Sequence, residues 1–103
     1  MKLKNTKALV RAILEQDEKA RNSDNHLYLK VIQIFADARH INLDTMTVSY
    51  FLAEMNHYDF PPFESVRRSR QKVQEECPHL AASPEVEIFR ADNEEIYREF
   101  ARN

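Results

Sequence analysis

The chain's clearest potential for chemistry lies in a run of cationic and amide side chains between Pro62 and Pro78. Proline is tolerated in the first turn of a helix and ends a helix elsewhere, so this run predicts one helix from Phe63 to Cys77. Arginine, lysine, glutamine and serine are the donors that read guanine and adenine and hold phosphate. The predicted polar face, with Arg70 at its boundary, contains Ser65, Arg67, Arg68, Arg70, Gln71 and Lys72.

Charge is distributed unevenly along the chain, whose formal net charge is −2. A second basic segment lies at the start, where no acidic residue interrupts Lys2, Lys4, Lys7 and Arg11. Residues 75–95 have the opposite character, with Arg90 as the only arginine or lysine among Glu75, Glu76, Glu85, Glu87, Asp92, Glu94 and Glu95. Two basic patches and one acidic segment predict a polarised surface that steers charged partners.

The composition favours a single, all-helical domain. The chain has 103 residues, of which 43% are apolar and 31% charged, enough for a modest core. It has no glycine, which disfavours hairpin turns, phosphate-cradling loops and dinucleotide fingerprints. The single cysteine, Cys77, cannot form an intramolecular disulfide. Arg11 and the acids that follow it interrupt the first apolar stretch, unlike a signal peptide or membrane span, so we expect a cytoplasmic protein without membrane contact.

Apolar periodicity and capping residues predict five helices. They cover residues 6–21, 25–39, a third span from Thr45 or Thr47 to Tyr58, then 63–77 and 83–103. Within the third helix the predicted inward residues are Val48, Phe51, Leu52 and Met55. We therefore expect one domain over residues 1–103, with supporting helices in 1–58, a candidate recognition helix in 59–78 and a C-terminal helix in 83–103.

The third and fourth predicted helices, joined by a short turn, have the pattern of a helix-turn-helix, in which the first helix braces a cationic second helix. The segment Pro61-Pro-Phe-Glu-Ser-Val-Arg-Arg68 resembles the turn and recognition-helix start of winged-helix and related DNA-binding regulators. That resemblance implies that Ser65, Arg67, Arg68 and Gln71 face the major groove. Because no glycine marks a hairpin wing, a purely helical version is expected. The wider stretch 20–74 also resembles small, mostly uncharacterised proteins of bacteriophages and prophages.

The last predicted helix carries a heptad-like seam. Spacings of three and four residues separate Val86, Phe89, Asn93, Ile96 and Phe100. A lone asparagine in such a seam fixes the pairing register of two chains, which makes this stripe a candidate homodimer contact. The alternative is that the stripe packs against its own domain, because two heptads are short for an independent coiled coil.

No residue pattern predicts catalysis, a metal or a cofactor. Cys77, His79, His40 and His57 lack the spacing of zinc ligands. The acidic residues next to Cys77 would raise the pKa of its thiol, unlike the setting of a nucleophile. The spacing of the remaining carboxylates is that of solvated helix faces.

The sequence therefore predicts an all-helical, non-enzymatic protein that binds double-stranded DNA and regulates transcription or replication. Two alternatives stay open. One is that the cations of residues 67–72 simply solvate an exposed face and pair with Glu64, Glu75 and Glu76 at helical spacings. The other alternative is a phage-encoded interaction module that inhibits a host enzyme or defence complex in the host cytoplasm, with the acidic segment as a nucleic-acid mimic.

Overall fold

Helices form every regular element that the structure describes. The computed structural model describes the backbone of residues 3–102 and the side chains of residues 6–93. In this range the helices are α1 (Leu3–Gln16), α2 (Glu18–Asn22), α3 (Asp24–Ala38), α4 (Val48–Glu54), α5 (Phe63–Glu76) and α6 (Pro84–Arg102), with single 3-10 turns at Leu43–Thr45 and Pro78–Leu80. The predicted all-α class is confirmed. No described helix has the length and apolar character needed to cross a membrane.

Two capping side chains divide the first half of the chain more finely than the apolar pattern predicts. Asp17 accepts hydrogen bonds from the backbone N–H groups of Lys19 (3.0 Å) and Ala20 (3.4 Å) and starts α2. Ser23 accepts one from the N–H of His26 (3.2 Å) and starts α3. Short polar side chains of this kind compete with helix continuation, because they satisfy the backbone donors of a new first turn. The single helix predicted over residues 6–21 is therefore wrong, and the chain bends at Asp17.

The core lies where α1, α3 and α5 pack together. Its most deeply buried side chains come from these helices and from the turn after α5: Val10, Leu14, Leu27, Val31, Phe35, Val66, Val73 and Leu80. Helix α5 approaches α1 most closely and also contacts α3, whereas α4 makes no comparably close approach to α5. The helix that braces α5 is therefore α1, and not the preceding helix that the helix-turn-helix pattern predicts.

The segment between α3 and α5 contains a shorter helix than predicted, and that helix is more exposed. Thr47 caps α4 by accepting from the N–H of Tyr50 (3.1 Å), but the helix ends at Glu54. Phe51 packs half-buried near Phe60, with ring centroids 5.2 Å apart. Val48 and Leu52, predicted to point inward, are 76% and 62% exposed. That prediction is wrong because it treated the apolar residues of α4 as one buried face, whereas α4 packs against the rest of the protein only in part.

A polar cluster of Asp24, Arg70, Gln74 and Arg90, called here the Asp24 cluster, links α3, α5 and α6 beside this core. Arg70 donates from Nε and Nη2 to the two carboxylate oxygens of Asp24, at 2.9 and 3.2 Å. Arg90 of α6 places its Nη2 3.7 Å from Asp24 Oδ1. Gln74 Oε1 accepts from Arg70 Nη1 (3.3 Å) and Arg90 Nη1 (3.4 Å). Its amide nitrogen donates to the backbone carbonyl of Arg21 at 3.1 Å, so α2 joins the same cluster.

Replacing Asp24 by asparagine tests whether this cluster stabilises the fold. The variant Asp24→Asn leaves two guanidinium groups without their carboxylate, and breaking one partner of a buried pair costs about 3 kcal/mol. We expect the free energy of unfolding in urea to fall by that amount. The matched control is Asp37→Asn, the same change at an exposed carboxylate that forms no ion pair among the described residues, and it should leave the urea midpoint nearly unchanged. Equal, small effects of both variants would contradict a structural role for Asp24.

Candidate functional site

Helix α5 has one buried and one exposed face of similar size. The buried residues are Val66, Ser69, Arg70, Val73 and Gln74, and the exposed residues are Phe63, Glu64, Arg68, Lys72, Glu75 and Glu76. The remaining predicted DNA-facing residues, Ser65, Arg67 and Gln71, are half-buried. The solvent side of α5 is thus a stripe of alternating charge on a helix packed into the body.

Arg70 requires a correction. It was predicted among the DNA-facing residues, but it is 8% exposed and points to Asp24. The reason is its register: residues 66, 70, 73 and 77 share one helical face, and that face contacts the core. An arginine is tolerated there because Asp24 and Gln74 satisfy its donors. Arg70 therefore belongs to the interior of the fold and not to an accessible basic surface.

Arg67 and Arg68 both pair with one carboxylate on their own helix. Arg67 donates to Glu64 from Nη2 (2.6 Å) and Nε (3.0 Å), a side-on, bidentate geometry. Arg68 Nε donates to Glu64 Oε1 at 3.3 Å. The hydrogen bond from Arg67 is the main reason that the pKa of Glu64 falls from 4.5 to about 2. Arg68, whose side chain is 73% exposed, extends furthest into solvent.

The packing of α1 on α5 brings the two basic patches together around a carboxylate. Lys7 Nζ lies 2.8 Å from Glu76 Oε1, and this hydrogen bond is the largest cause of a lowered pKa at Glu76. Lys72 and Arg11 lower that pKa further through their charges. Arg11 also donates to Glu15 at 3.2 Å. Lys2, and the side chain of Lys4, lie outside the described residues.

The carboxylates of the acidic segment are arranged differently. Glu75, Glu85, Glu87 and Asp92 are exposed, and none of the four has an ion-pair partner within the described part of the chain. Arg90, the cation of this segment, turns inward to Asp24. Burial, followed by repulsion from Arg70, lowers the pKa of its guanidinium. We call these four carboxylates the acidic surface; the side chains of Glu94 and Glu95 lie outside the described range.

The predicted seam of α6 is only partly accessible. Val86 and Asn93 are half-buried on the same side as Arg90, facing the body, whereas Phe89 is 65% exposed. Ile88, which the seam did not include, is also exposed. The side chains of Ile96 and Phe100 lie outside the described residues. The homodimer contact stays a prediction.

No group of three histidine, cysteine, aspartate or glutamate side chains within residues 6–93 is placed to hold a metal ion. Cys77 is a buried thiol. Sequence reasoning missed a pair between Asp17 Oδ2 and His26 Nε2, 2.8 Å apart, which joins the start of α2 to α3. It also missed the Asp24 cluster, because the only sequence signal was that Arg70 shares a helical face with the apolar residues Val66 and Val73.

Comparison with family models, with curated proteins and with solved structures finds no match for this chain. Its function is therefore inferred from the geometry of its own side chains.

The pairing of Glu64 can be tested by titration. Because the pKa of Glu64 is lowered in the folded protein, the pair stabilises the fold above about pH 4.5 and is lost as the pH falls towards 2. We expect the side-chain carboxyl carbon of Glu64 to titrate near pH 2 in an NMR experiment. In Arg67→Ala the midpoint should move towards 4.5. A midpoint near 4.5 in the unmodified protein would show that Arg67 is not paired.

Proposed function

We propose that this protein is an interaction module that binds a basic surface of another protein through its acidic surface. The observation that carries the proposal is the unequal pairing of its charges. Five of the cations predicted to contact DNA form ion pairs with carboxylates of the same chain: Lys7, Arg11, Arg67, Arg68 and Arg70. The four carboxylates of the acidic surface form no ion pair among the described residues.

Pairing matters because affinity for nucleic acid comes largely from cations that replace the counterions of phosphate. Arg67 and Arg68 would have to exchange Glu64 for a phosphate, and Lys7 would have to release Glu76. Each exchange returns less free energy than the capture of phosphate by an unpaired cation. The exposed carboxylates of the acidic surface have no ion pair among the described residues that would have to break when they bind a basic partner.

The spacing of the acidic surface also supports a resemblance to nucleic acid. Glu85 and Asp92 lie seven positions apart on the same face of α6, about 10 Å along the helix axis, whereas Glu87 lies on the opposite side of the helix. One strand of DNA carries a charge about every 3.4 Å, so this pair of carboxylates matches the separation of two phosphates three positions apart on a single strand. A groove that holds nucleic acid by its backbone charge is therefore the expected kind of target.

If the chain is phage-encoded, as its sequence resemblance to bacteriophage and prophage proteins implies, its target would be a protein of the host cell. A phage-encoded protein with such a surface would act on a nucleic-acid-binding enzyme or defence complex of its host. Its role would be inhibition by occupancy, which requires no catalytic group.

DNA binding is the second candidate, and one observation favours it. Lys7, Arg11 and Lys72 converge on Glu76, which leaves three cations around one carboxylate. If four to six cations contact phosphate, the logarithm of the binding constant should fall with the logarithm of salt concentration with a slope of about −4 to −5. Arg67→Ala and Arg68→Ala should then weaken duplex binding without unfolding the protein.

Fluorescence anisotropy with two labelled probes separates the candidates. We expect an oligo-arginine peptide to bind and a DNA duplex to show no saturable binding at the same ionic strength. The double variant Glu85→Gln/Asp92→Asn should weaken peptide binding by about threefold to tenfold, because it removes exposed charges that steer the encounter. The matched control, Glu18→Gln/Asp37→Asn, removes two exposed carboxylates from α2 and α3 and should bind like the unmodified protein.

Two results would contradict the proposal. One is duplex binding that shows the steep salt slope and depends on Arg67 and Arg68. The other is peptide binding that falls equally in the double variant and in its control, because the interaction would then reflect net charge alone.

A further inference from the structure

A groove of about 350 Å³ lies between α5 and α6, beside the turn Pro78–Leu80. Cations and amides of the Asp24 cluster reach it from one side through Arg70, Gln74 and Arg90. Glu75 and Glu87 line it from the solvent side. Its volume is at the lower end of the range for sites that hold small molecules.

The cationic side of this groove has unused hydrogen-bonding capacity. Arg70 and Arg90 share one carboxylate, Asp24, at ion-pair distance, and Glu87 also acts on Arg90 through its charge. Arg90 uses Nη1 for the backbone carbonyl of Arg21 (3.2 Å) and for Gln74 Oε1 (3.4 Å). Its Nη2 is 3.7 Å from Asp24, longer than a hydrogen bond. Within the described residues, neither Nη2 nor Nε of Arg90 donates a hydrogen bond, so the N–H groups on this edge have no acceptor at hydrogen-bond distance, although Asp24 lies near Nη2.

A carboxylate fits this edge, because two parallel N–H groups of a guanidinium match its two oxygens. A simple anion would be opposed by Glu75 and Glu87 at the same groove. A ligand that places an ammonium group next to its carboxylate satisfies both sides at once. Pro78, Ala81 and Ala91 complete the lining and leave room for a small aliphatic side chain.

We propose that this groove binds a free α-amino acid, with the carboxylate on Arg90 and the ammonium group at Glu87. This inference goes beyond the proposed function, and the two sites share Glu75 and Glu87 of the acidic surface. The site lies next to the Asp24 cluster, so a bound amino acid would also add a contact between α5 and α6.

Three matched probes test the ligand class: norvaline, pentanoate and pentylamine, which carry both charges, the carboxylate alone and the amine alone. Each is titrated into the ¹⁵N-labelled protein, with the Arg90 Nε–H and Ala91 backbone signals as readouts. We expect norvaline to give saturable shifts with a Kd at least about tenfold below that of either other probe. The absence of saturable shifts with norvaline, or equal binding of pentanoate, overturns the proposal.

Variants test the two contacts separately. Glu87→Gln, at an exposed position, should weaken norvaline binding while leaving pentanoate binding equal or stronger. Arg90→Gln should weaken both probes, with its fold checked by circular dichroism. Glu18→Gln, an exposed acid on α2, is the matched control and should bind norvaline like the unmodified protein. Unchanged norvaline affinity in Glu87→Gln rejects the site even if Arg90→Gln fails to fold.

The proposed protein-binding role is tested with Glu85 and Asp92, neither of which lines the groove. Loss of amino-acid binding with retained peptide binding would therefore reject this inference alone, and the reverse result would reject the protein-binding role alone.

Discussion

The bidentate pair between Asp24 and Arg70 is the interaction on which the arrangement of this protein depends. It joins the first turn of α3 to the middle of α5, and Arg90 and Gln74 extend it to α6 and α2. A charged guanidinium in a largely apolar interior is costly unless it is paired and hydrogen-bonded. The pair therefore requires α5 to lie in one orientation, with Arg70 turned inward and the charged stripe of Glu64, Arg68 and Lys72 turned outward.

That orientation determines which charges other molecules can reach. Lys7 lies where α1 packs on α5, and Arg11 and Arg67 each lie about one turn from a carboxylate, so these cations pair within the chain. Arg90 is drawn inward by Asp24, and the carboxylates around it on α6 are left without a partner among the described residues. The same contact thus organises the core, exposes the acidic surface and leaves the groove with a guanidinium edge.

Sequence reasoning predicted the helical class and the bounds of α5, because these depend on local signals: the absence of glycine, the prolines at 61, 62 and 78, and apolar spacing. It failed at Arg70, since spacing placed this residue near the buried face but could not reveal that Asp24, 46 residues earlier, would accept it there. Val48 and Leu52 were assigned to a core because their spacing is helical, yet α4 makes few contacts with the body. The pairing of Arg67 with Glu64 was foreseeable from helical spacing, whereas that of Lys7 with Glu76 depends on how α1 and α5 pack.

A double-mutant cycle between Asp24→Asn and Arg70→Gln tests the central claim most directly, with the free energy of unfolding as its readout. We predict that the two changes are strongly non-additive, with a coupling energy of about 2 kcal/mol, because Asp24→Asn leaves the buried Arg70 without its carboxylate and Arg70→Gln leaves Asp24 with only the longer contact to Arg90. The parallel cycle with Arg68→Gln, whose side chain is exposed, should be additive within about 0.5 kcal/mol. Additive behaviour in both cycles would contradict the claim that this pair sets the orientation of α5.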